Sequence, residues 1–263
     1  GTFDDNGGND TIKLNVEGAN VDIKDVVMTD VDSISLANNA GATMTRAQNA
    51  LIDGAAGTNT ITLSDAGAAT GDSNVEAYVL AAGSNTFTMA SGGQTVTGNS
   101  GIDIINGGDG GDIISGLGNN DILRGGDGTD TITGGTGSDT ITGGGGADRF
   151  VFTTGHTSTV VSDEVIVDFV SGTDKLDFGE SADDVLIVDG AALTLSSFLA
   201  AAGAHFTNGD MDVFIAYGVG GVNDGLVAVN HNSNGAFDAG DSLIKLLGVA
   251  ADDDILASDI QAY

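Results

Sequence analysis

The sequence lacks cysteine, proline and tryptophan entirely among its 263 residues. Without cysteine the chain forms no disulfides and performs no thiol chemistry. Lysine and arginine together number seven against 38 acidic residues, which gives a formal net charge of −31. So few cations exclude nucleic-acid binding through phosphate neutralisation, and they exclude binding to anionic membranes through a basic patch. No apolar run reaches the roughly 18 residues of a membrane-spanning helix, so we expect no membrane insertion.

Motifs of common hydrolases are also missing. The sequence has no His-Glu-x-x-His zinc motif and no Gly-x-Ser-x-Gly nucleophile motif. Its three histidines, His156, His205 and His231, are isolated along the chain. Aspartate pairs occur, but with 34 aspartates in the chain chance proximity is expected. We therefore expect no enzymatic activity.

The acidic residues are almost all aspartates, with only four glutamates. Aspartate is favoured in turns and is a common calcium ligand. The length is compatible with one to three domains. Because the sequence begins at Gly1, we expect a fragment or a processed mature form.

A nine-residue unit repeats six times without a gap over residues 98–151. With its positions numbered as slots 1 to 9, slot 1 is always glycine, slot 6 always aspartate and slot 8 always large and apolar. The slot 6 residues are Asp103, Asp112, Asp121, Asp130, Asp139 and Asp148. The slot 8 residues are Ile105, Ile114, Leu123, Ile132, Ile141 and Phe150. A disordered glycine-rich linker has no reason to place an apolar residue in every slot 8.

This periodicity predicts a coil built from two units. Slots 1 to 6 form a turn, and slots 7 to 9 form a short strand whose slot 8 faces inward. Asp103, Asp121 and Asp139 then stack along one edge, called here the first edge, and the other three aspartates along the second edge. Stacked carboxylates repel one another, whereas calcium takes about 6–8 oxygen ligands from carboxylates and carbonyls. The repeat therefore predicts calcium between successive coils.

The unit resembles the G-G-x-G-x-D-x-U-x pattern of the RTX (repeats-in-toxin) family. The resemblance implies an all-β, right-handed parallel β-roll or β-helix solenoid. In that family each ion takes the slot 1 and slot 3 carbonyls and the aspartate of one coil, with the slot 2 and slot 4 carbonyls and the aspartate of the next. It thus implies about four or more ions, between Asp103 and Asp121, Asp112 and Asp130, Asp121 and Asp139, and Asp130 and Asp148.

The same resemblance assigns further metal-binding residues to the turns of the roll. They are Gly98, Ser100, Gly107, Gly108, Asp109, Gly110, Gly116, Gly118, Asn119, Gly125, Gly126, Asp127, Gly128, Gly134, Gly135, Thr136, Gly137, Gly144 and Gly146. The third unit departs from the pattern, with Leu117 at slot 2 and Asn119 at slot 4. We expect a weaker site there.

Residues 1–97 are predicted to form a degenerate parallel β-solenoid. Residues 57–63 and 83–89 share one motif in which apolar and polar residues alternate, as they do in half-buried strands. Extending the nine-residue register backwards places Asn85 and Gln94 in slot 6, so we interpret this region as the same coil with its calcium ligands lost. Asparagine can form such a ladder without a metal. An independent β-sandwich is the alternative, and residues 43–51 have the spacing of a short helix.

Residues 152–263 are predicted to form a β-rich C-terminal cap with a secretion-signal-like end. The apolar strands predicted there cover 165–169, 185–188, 213–217, 226–229 and 243–247, and one helix is predicted over 196–202. The segment 166–178, IVDFVSGTDKLDF, resembles the sequence motif that follows the roll in serralysin-type metalloproteases. That resemblance implies a β-rich cap and type I secretion, and we carry over no activity.

A weaker candidate metal loop has the spacing of an EF-hand. Its oxygen-bearing residues are Asn230, Asn232, Asn234, Asp238 and Asp241. Asparagine at three positions and aspartate at the last position reduce the charge available to calcium. The flanking apolar strands also make it a plain hairpin loop, which we favour slightly.

Three slot 7 residues of the roll are unexpectedly apolar for an outward-facing position: Ile104, Ile113 and Ile122. They indicate either a contact with another segment or subunit, or strand propensity alone.

We expect a secreted, calcium-dependent structural protein of the bacterial cell surface that resembles RTX-type surface-layer proteins. Its expected partners are other copies of itself, in a lattice or filament, the type I secretion machinery, and surface polysaccharide. The alternatives are the non-catalytic C-terminal RTX region of a secreted enzyme, such as a serralysin-like protease or a lipase, or of an RTX adhesin.

Overall fold

The computed structural model describes residues 2–4, 11–14, 20–29, 33–36, 40–55, 58–152, 163–179, 184–189, 195–205, 212–217, 224–230, 241–249, 255 and 259–261. This part of the chain is nearly all strand, and it winds into a parallel β-solenoid of about 7 turns with almost no helix. The all-β solenoid predicted from the sequence is therefore confirmed.

The first hundred residues contribute twelve short strands and one helical turn. They are β1 (Thr2–Asp4), β2 (Thr11–Leu14), β3 (Asn20–Asp22), β4 (Val27–Thr29), β5 (Ser33–Leu36), β6 (Gly41–Met44), α1 (Arg46–Asn49), β7 (Ile52–Ala55), β8 (Thr60–Leu63), β9 (Ala68–Thr70), β10 (Ala77–Val79), β11 (Thr86–Thr88) and β12 (Thr95–Asn99). β1 pairs with β4, and β2, β5 and β7 form a separate three-stranded sheet.

The repeats form longer strands than the sequence predicts. They are β13 (Ile104–Asp109), β14 (Ile113–Gly118), β15 (Ile122–Asp127), β16 (Thr131–Thr136), β17 (Thr140–Gly145) and β18 (Arg149–Val151). The first five of these contain six residues each and run from slot 7 through slot 3 of the next unit. The prediction that slots 1 to 6 are all turn is wrong, because the strands extend through slot 3 and slots 2 and 3 also pair with the neighbouring coil.

The remaining elements complete the C-terminal part. They are β19 (Asp163–Ile166), β20 (Lys175–Asp177), β21 (Asp184–Asp189), α2 (Leu195–His205), β22 (Asp212–Tyr217), β23 (Asp224–Asn230), β24 (Ser242–Leu247) and β25 (Ile260–Gln261). Each predicted strand and the predicted helix overlap one of these elements, with the bounds shifted by up to three residues.

Two ten-stranded sheets contain most of the strands. Sheet I has the order β25-β20-β18-β16-β14-β12-β10-β8-β6-β3, and sheet II has the order β21-β22-β23-β24-β19-β17-β15-β13-β11-β9. In the solenoid consecutive strands alternate between the two sheets, so each coil contributes one strand to each. Both sheets continue without interruption across residues 97–98, where the regular repeats begin.

The core is a pair of stacked apolar columns between these sheets. The sheet I column contains Ala42, Ile61, Tyr78, Val96, Ile114, Ile132, Phe150 and Leu176, and the sheet II column contains Phe87, Ile105, Leu123, Ile141 and Ile166. All of these side chains are buried in one continuous cluster. Slot 8 is therefore the inward position throughout, as the alternation predicts.

Helix α1 closes the N-terminal end of sheet II. Thr45 caps the helix by accepting a hydrogen bond from the Gln48 backbone N–H (3.2 Å). The Arg46 guanidinium donates to the Ala68 carbonyl (3.2 Å), and the Asn49 amide donates to the Thr70 carbonyl (2.9 Å). These bonds occupy carbonyls on the outer side of β9, where a further strand would otherwise pair.

The C-terminal strands change the direction of pairing in sheet II. β22 pairs antiparallel with β23, and β23 pairs antiparallel with β24. Residues 213–217 are buried at every position, because one face meets the solenoid core and α2 covers the other. Neither helix in the described ranges has the length and apolar character of a membrane span.

Candidate metal centre

Hydrogen bonds between coils align the slot 6 aspartates in two ladders. On the first edge the Asp103 N–H donates to Oδ1 of Asp121 (2.7 Å), and the Asp121 N–H donates to Oδ1 of Asp139 (2.7 Å). On the second edge the Asp112 N–H donates to Oδ1 of Asp130 (2.7 Å), and the Asp130 N–H donates to Oδ1 of Asp148 (3.0 Å). The structure thus places each predicted pair of metal-binding aspartates on adjacent coils.

The second carboxylate oxygen of five of these aspartates is buried without a hydrogen-bond partner among the described residues. The five atoms are Oδ2 of Asp112, Asp121, Asp130, Asp139 and Asp148. Each of the five residues is no more than 1% exposed. Burying a carboxylate oxygen without a partner is costly, so the arrangement favours a cation beside it.

Slot 1 glycine forms the wall next to each Oδ2 atom. A Cβ built at Gly107 would lie 2.8 Å from Oδ2 of Asp112, and a Cβ at Gly125 would overlap Oδ2 of Asp130. The same holds for Gly116 with Asp121 and for Gly134 with Asp139. Only glycine at slot 1 therefore leaves the carboxylate its space, which explains the invariant residue in the sequence.

Burial raises the pKa of these carboxyl groups above the ordinary range. Desolvation, with the charges of Asp139 and Asp103, raises the pKa of Asp121 to about 7. Desolvation raises the pKa of Asp139 to about 6, and desolvation with neighbouring carboxylates raises the pKa of Asp148 to about 6. The metal-free ladders are therefore held in an environment that disfavours negative charge.

From the second unit to the sixth, slots 2 and 4 adopt positive φ, and the carbonyls of these slots lie close to the same slots of the next coil. Gly126 and Gly128 have φ values of 119° and 145°. In the third unit, where slots 2 and 4 are not glycine, Leu117 and Asn119 also have positive φ, of 77° and 71°. A bulky leucine at positive φ is strained, so the turn of the third unit costs more to form than its neighbours.

The ladders extend beyond the six repeats at their C-terminal end. The Asp139 N–H donates to Oε2 of Glu164 (3.1 Å), and the Asp148 N–H donates to Oδ1 of Asp174 (3.0 Å). Both acceptors are buried. Burial together with the charges of Asp139 and Asp121 raises the pKa of Glu164 to about 9.

Glu164 and Asp174 were not among the residues predicted from the sequence to bind metal. A signal existed for Asp174, because residues 169–177 form a degenerate unit with Asp174 in slot 6 and Leu176 in slot 8. Its slot 4 residue, Gly172, has a φ of 77°, as the roll glycines have positive φ. No comparable pattern in the sequence identifies Glu164, which follows a stretch outside the described residues.

These donors fit calcium better than a softer metal. Within the described ranges, no three His, Cys, Asp or Glu side chains converge as a site formed by side chains alone would require. Each position between coils instead offers two carboxylates and backbone carbonyls, which are the hard oxygen donors that calcium selects. The five partnerless Oδ2 atoms are where such an ion would be held.

The model of the RTX calcium-binding nonapeptide repeat family (4 copies) matches residues 90–123, 97–132 and 124–157. The chain contains an RTX β-roll. RTX repeats bind calcium, and proteins that carry them are generally exported by type I secretion systems. A comparison with curated proteins found no match.

The EF-hand-like loop after β23 lies largely outside the described residues, which omit 231–240. Its two ends, Asn230 and Asp241, are described and buried. The flanking strands β23 and β24 pair antiparallel, as the hairpin interpretation predicts. Calcium binding in this loop stays a prediction.

Proposed function

We propose that this protein is a secreted, non-catalytic structural protein of the bacterial cell surface, similar in role to surface-layer proteins, which folds and assembles when calcium binds. The observation that supports it best is the row of five buried Oδ2 atoms without partners in the described structure. A domain whose core depends on neutralising these charges gains its folding free energy from the ion.

Calcium would supply the positive charge that the aspartate ladders require. The residues that would hold it are the slot 6 pairs Asp112–Asp130, Asp121–Asp139 and Asp130–Asp148, with carbonyls of slots 1 to 4. In the predicted pair Asp103–Asp121 the ion would depend mainly on Asp121, because both carboxylate oxygens of Asp103 already accept N–H groups. Oδ1 of the later aspartate in each pair holds the N–H of the earlier coil, whereas its Oδ2 has no hydrogen-bond partner among the described residues and is available to the ion. Without the ion, repulsion between the carboxylates and the cost of their desolvation keep the roll unfolded. The unfolded chain then stays competent for secretion.

The same arrangement continues past the last repeat. Glu164 and Asp174 receive the N–H groups of Asp139 and Asp148 as the roll aspartates receive theirs. Oδ2 of Asp148 is also partnerless among the described residues. We therefore extend the calcium-coupled part of the chain from residue 98 to about residue 177.

Apolar side chains exposed on the first half of the roll support self-association. Ile102 is 52% exposed, Ile113 is 53% exposed and Leu117 is 48% exposed. Ile104 and Ile122 lie one coil apart on sheet II, as the repeat predicts. Since each copy carries a net charge of −31, calcium between acidic surfaces would also reduce repulsion between copies.

A calcium titration of the full chain tests folding and assembly together. Circular dichroism reports the β-roll, and light scattering with electron microscopy reports ordered assembly. We expect both signals to rise with calcium and not with equal magnesium, because magnesium demands a smaller, near-octahedral set of ligands. A chain that shows no calcium-dependent folding contradicts the whole proposal.

Replacing one exposed isoleucine separates calcium-dependent folding from assembly. Ile113 pairs with Thr95 and Thr131, which hold the same slot in the coils before and after. Ile113→Thr therefore keeps the strand pattern, and we expect a weaker assembly at an unchanged folding midpoint. Thr131→Ile, which adds an isoleucine to the same face, is the matched control and should not weaken assembly.

Folding without assembly would favour the second candidate, the C-terminal RTX region of a secreted enzyme or of an adhesin. The serralysin-like segment supports that candidate, since its residues 175–177 add a strand directly to the end of the roll. Ordered assembly at millimolar calcium would favour the surface-layer role.

A further inference from the structure

The coils that precede the roll keep the hydrogen bonds between slot 6 residues, but most of those residues are uncharged. The register places six residues at slot 6 before the repeats begin: Ala40, Asn59, Gly67, Glu76, Asn85 and Gln94. Glu76 is the one carboxylate among them, whereas the next six slots are all aspartate. Asn85 Oδ1 still accepts the Gly67 N–H (3.1 Å), as the aspartates do for their preceding coils.

The Asn85 amide nitrogen occupies the centre of the first-edge turn. Nδ2 of Asn85 donates to the carbonyls of Ala81 (3.0 Å) and Gly83 (2.9 Å) and to Oδ1 of Asp103 (2.8 Å). These acceptors are the slot 2 and slot 4 carbonyls of one coil and the slot 6 carboxylate of the next. They are oxygens of the kinds that face a cation in the repeats, and here a side-chain N–H group satisfies them.

A second amide completes the boundary on the same edge. Nδ2 of Asn99 donates to the Gly83 carbonyl (3.0 Å) and to Oδ2 of Asp103 (3.0 Å), and the Asn99 backbone N–H also donates to that Oδ2 (3.1 Å). Asp103 is the single slot 6 aspartate of the roll whose Oδ2 has partners among the described residues. The first edge therefore changes from amide donors to partnerless carboxylates between Asp103 and Asp121.

On the second edge Gln94 occupies the corresponding position. Its Nε2 donates to the carbonyls of Asp72 (2.9 Å) and Val75, and its Oε1 accepts the Ala90 N–H (2.8 Å). Its own backbone N–H donates to Oδ1 of Asp112 (2.8 Å), which starts the aspartate ladder. On both edges, therefore, amide side chains are followed by aspartates at the same level along the solenoid axis.

We propose that these side-chain amides take the place of calcium in residues 58–99. This segment then folds without the ion, and the roll folds onto its preformed coils. The inference rests on the proposed calcium-coupled folding of the roll. A solenoid coil is stabilised mainly by its neighbours, so the first coil to form has the least support. A preformed end removes that cost, because β11 and β12 present paired backbone groups to β13 and β14.

Hydrogen exchange of the full chain, followed by mass spectrometry, tests the proposal. In a calcium chelator we expect backbone amides of residues 75–97 to exchange at least about tenfold more slowly than those of residues 113–150. Added calcium should protect residues 113–150 and change residues 75–97 little. Equal, fast exchange of both segments in chelator would overturn the inference.

Asn85→Asp is the matching variant, because it restores the slot 6 residue of the repeats. The change removes the donor to the Ala81 and Gly83 carbonyls and places a second carboxylate beside Asp103. We expect residues 75–88 to lose protection in chelator, to regain it in calcium, and the chain to bind one more ion in equilibrium dialysis. Gln94→Glu should do the same on the second edge. Ser84→Ala, in the exposed part of the same turn, is the control and should change neither quantity.

The outcomes separate this inference from the proposed function. If calcium fails to protect residues 113–150 in the unaltered chain, the calcium-coupled folding itself is wrong and the inference falls with it. If calcium protects the roll but Asn85→Asp retains its protection in chelator and binds no further ion, the folding proposal stands and the role of the amides is wrong.

Discussion

Asp139 and Asp121 share one hydrogen bond that joins successive coils: the Asp121 N–H donates to Oδ1 of Asp139, one coil later, at 2.7 Å. The bond fixes the orientation of the Asp139 carboxylate, so its Oδ2 is directed at the slot 1 glycine of its own unit, Gly134. That Oδ2 is left buried without a partner in the described structure. The Asp139 carboxylate therefore joins two coils through Oδ1 and keeps Oδ2 available to a cation.

Removing a ladder aspartate should raise the calcium concentration needed to fold. Asp121 lies in two predicted sites, with Asp103 and with Asp139, so Asp121→Ala removes a ligand from both. We expect the calcium midpoint, measured by circular dichroism, to rise at least about tenfold, which corresponds to about 1.4 kcal/mol for each ion whose binding is coupled to folding.

Asp127→Ala is the matched control for charge. Asp127 occupies slot 3, where its side chain is exposed and only its backbone carbonyl is predicted to bind metal. We expect a midpoint within about twofold of the unaltered chain, since an exposed charge contributes little. An unchanged midpoint in Asp121→Ala would show that the assigned geometry is wrong.

Acid should stabilise the calcium-free roll, and this stability should be lost as the pH rises from about 4 to 7. The pKa of Asp121 is about 7 in the metal-free fold, and those of Asp139 and Asp148 are about 6, all above the ordinary value of 3.8. The metal-free fold therefore holds protons that the unfolded chain releases, so its own stability is greatest below about pH 4 and is lost as the pH rises through 7. Without calcium the roll should therefore be more folded in acid than at neutral pH.

Circular dichroism of the chain in calcium-free buffer, recorded at several pH values, measures this dependence. We expect the β-roll signal to fall as the pH rises from about 4 to 7, because the buried carboxyl groups ionise over that range. A signal that is independent of pH over this range would contradict the burial of these carboxylates.

Adding one methyl group at slot 1 should close a metal site. A Cβ at Gly125 would overlap Oδ2 of Asp130 and lie 2.5 Å from the Gly143 carbonyl. We expect Gly125→Ala to destabilise the calcium-loaded protein by about 1–3 kcal/mol in chemical denaturation and to lower the number of bound ions.

The control for this change is Gly145→Ala, the same substitution at slot 3. A Cβ there would meet only the flexible end of Asp127, at 3.2 Å from Oδ1. We expect the ion count to be unchanged. If both alanine variants bind the same number of ions, slot 1 glycine does not define the site.

Leu117→Gly should stabilise the roll. Leu117 adopts a φ of 77°, a region that disfavours a side chain, and its side chain is 48% exposed. Relief of this strain is expected to raise the free energy of unfolding in calcium by about 1 kcal/mol and to lower the calcium midpoint.

Leu117→Ala distinguishes strain from the loss of an exposed apolar group. Alanine removes most of the side chain but keeps the Cβ that makes positive φ unfavourable. We therefore expect Leu117→Ala to stabilise less than Leu117→Gly in the same denaturation experiment. Equal stabilisation by both variants would show that backbone strain at this turn is not the cause.

The interior of the roll could be predicted from the sequence, because it depends on a strict local period. Slot 8 places an apolar residue inward once every nine residues, and the stacking of Ile105 on Leu123 follows from two units per coil. The aspartate pairs, such as Asp112 with Asp130, follow from the same period. Neither conclusion requires knowledge of residues distant in the chain.

The ends of the site could not be predicted in this way, because the spacing changes there. Glu164 follows Asp139 by 25 residues and Asp174 follows Asp148 by 26, where the repeat would require 18. The strand length was also underestimated, since slots 2 and 3 pair with residues one coil away rather than with near neighbours.

The sequence by itself determined the coil, its two aspartate edges and the class of ion, since a nine-residue period with an invariant acid needs no further information. Only the tertiary structure decided where the ladder of buried carboxylates begins and ends. Whether Asn85 is a neutral remnant or a donor to Ala81, Gly83 and Asp103 depends on which oxygens surround its amide, and these come from two coils. The partners of a buried polar group are set by packing between coils, and the local pattern of the chain does not contain them.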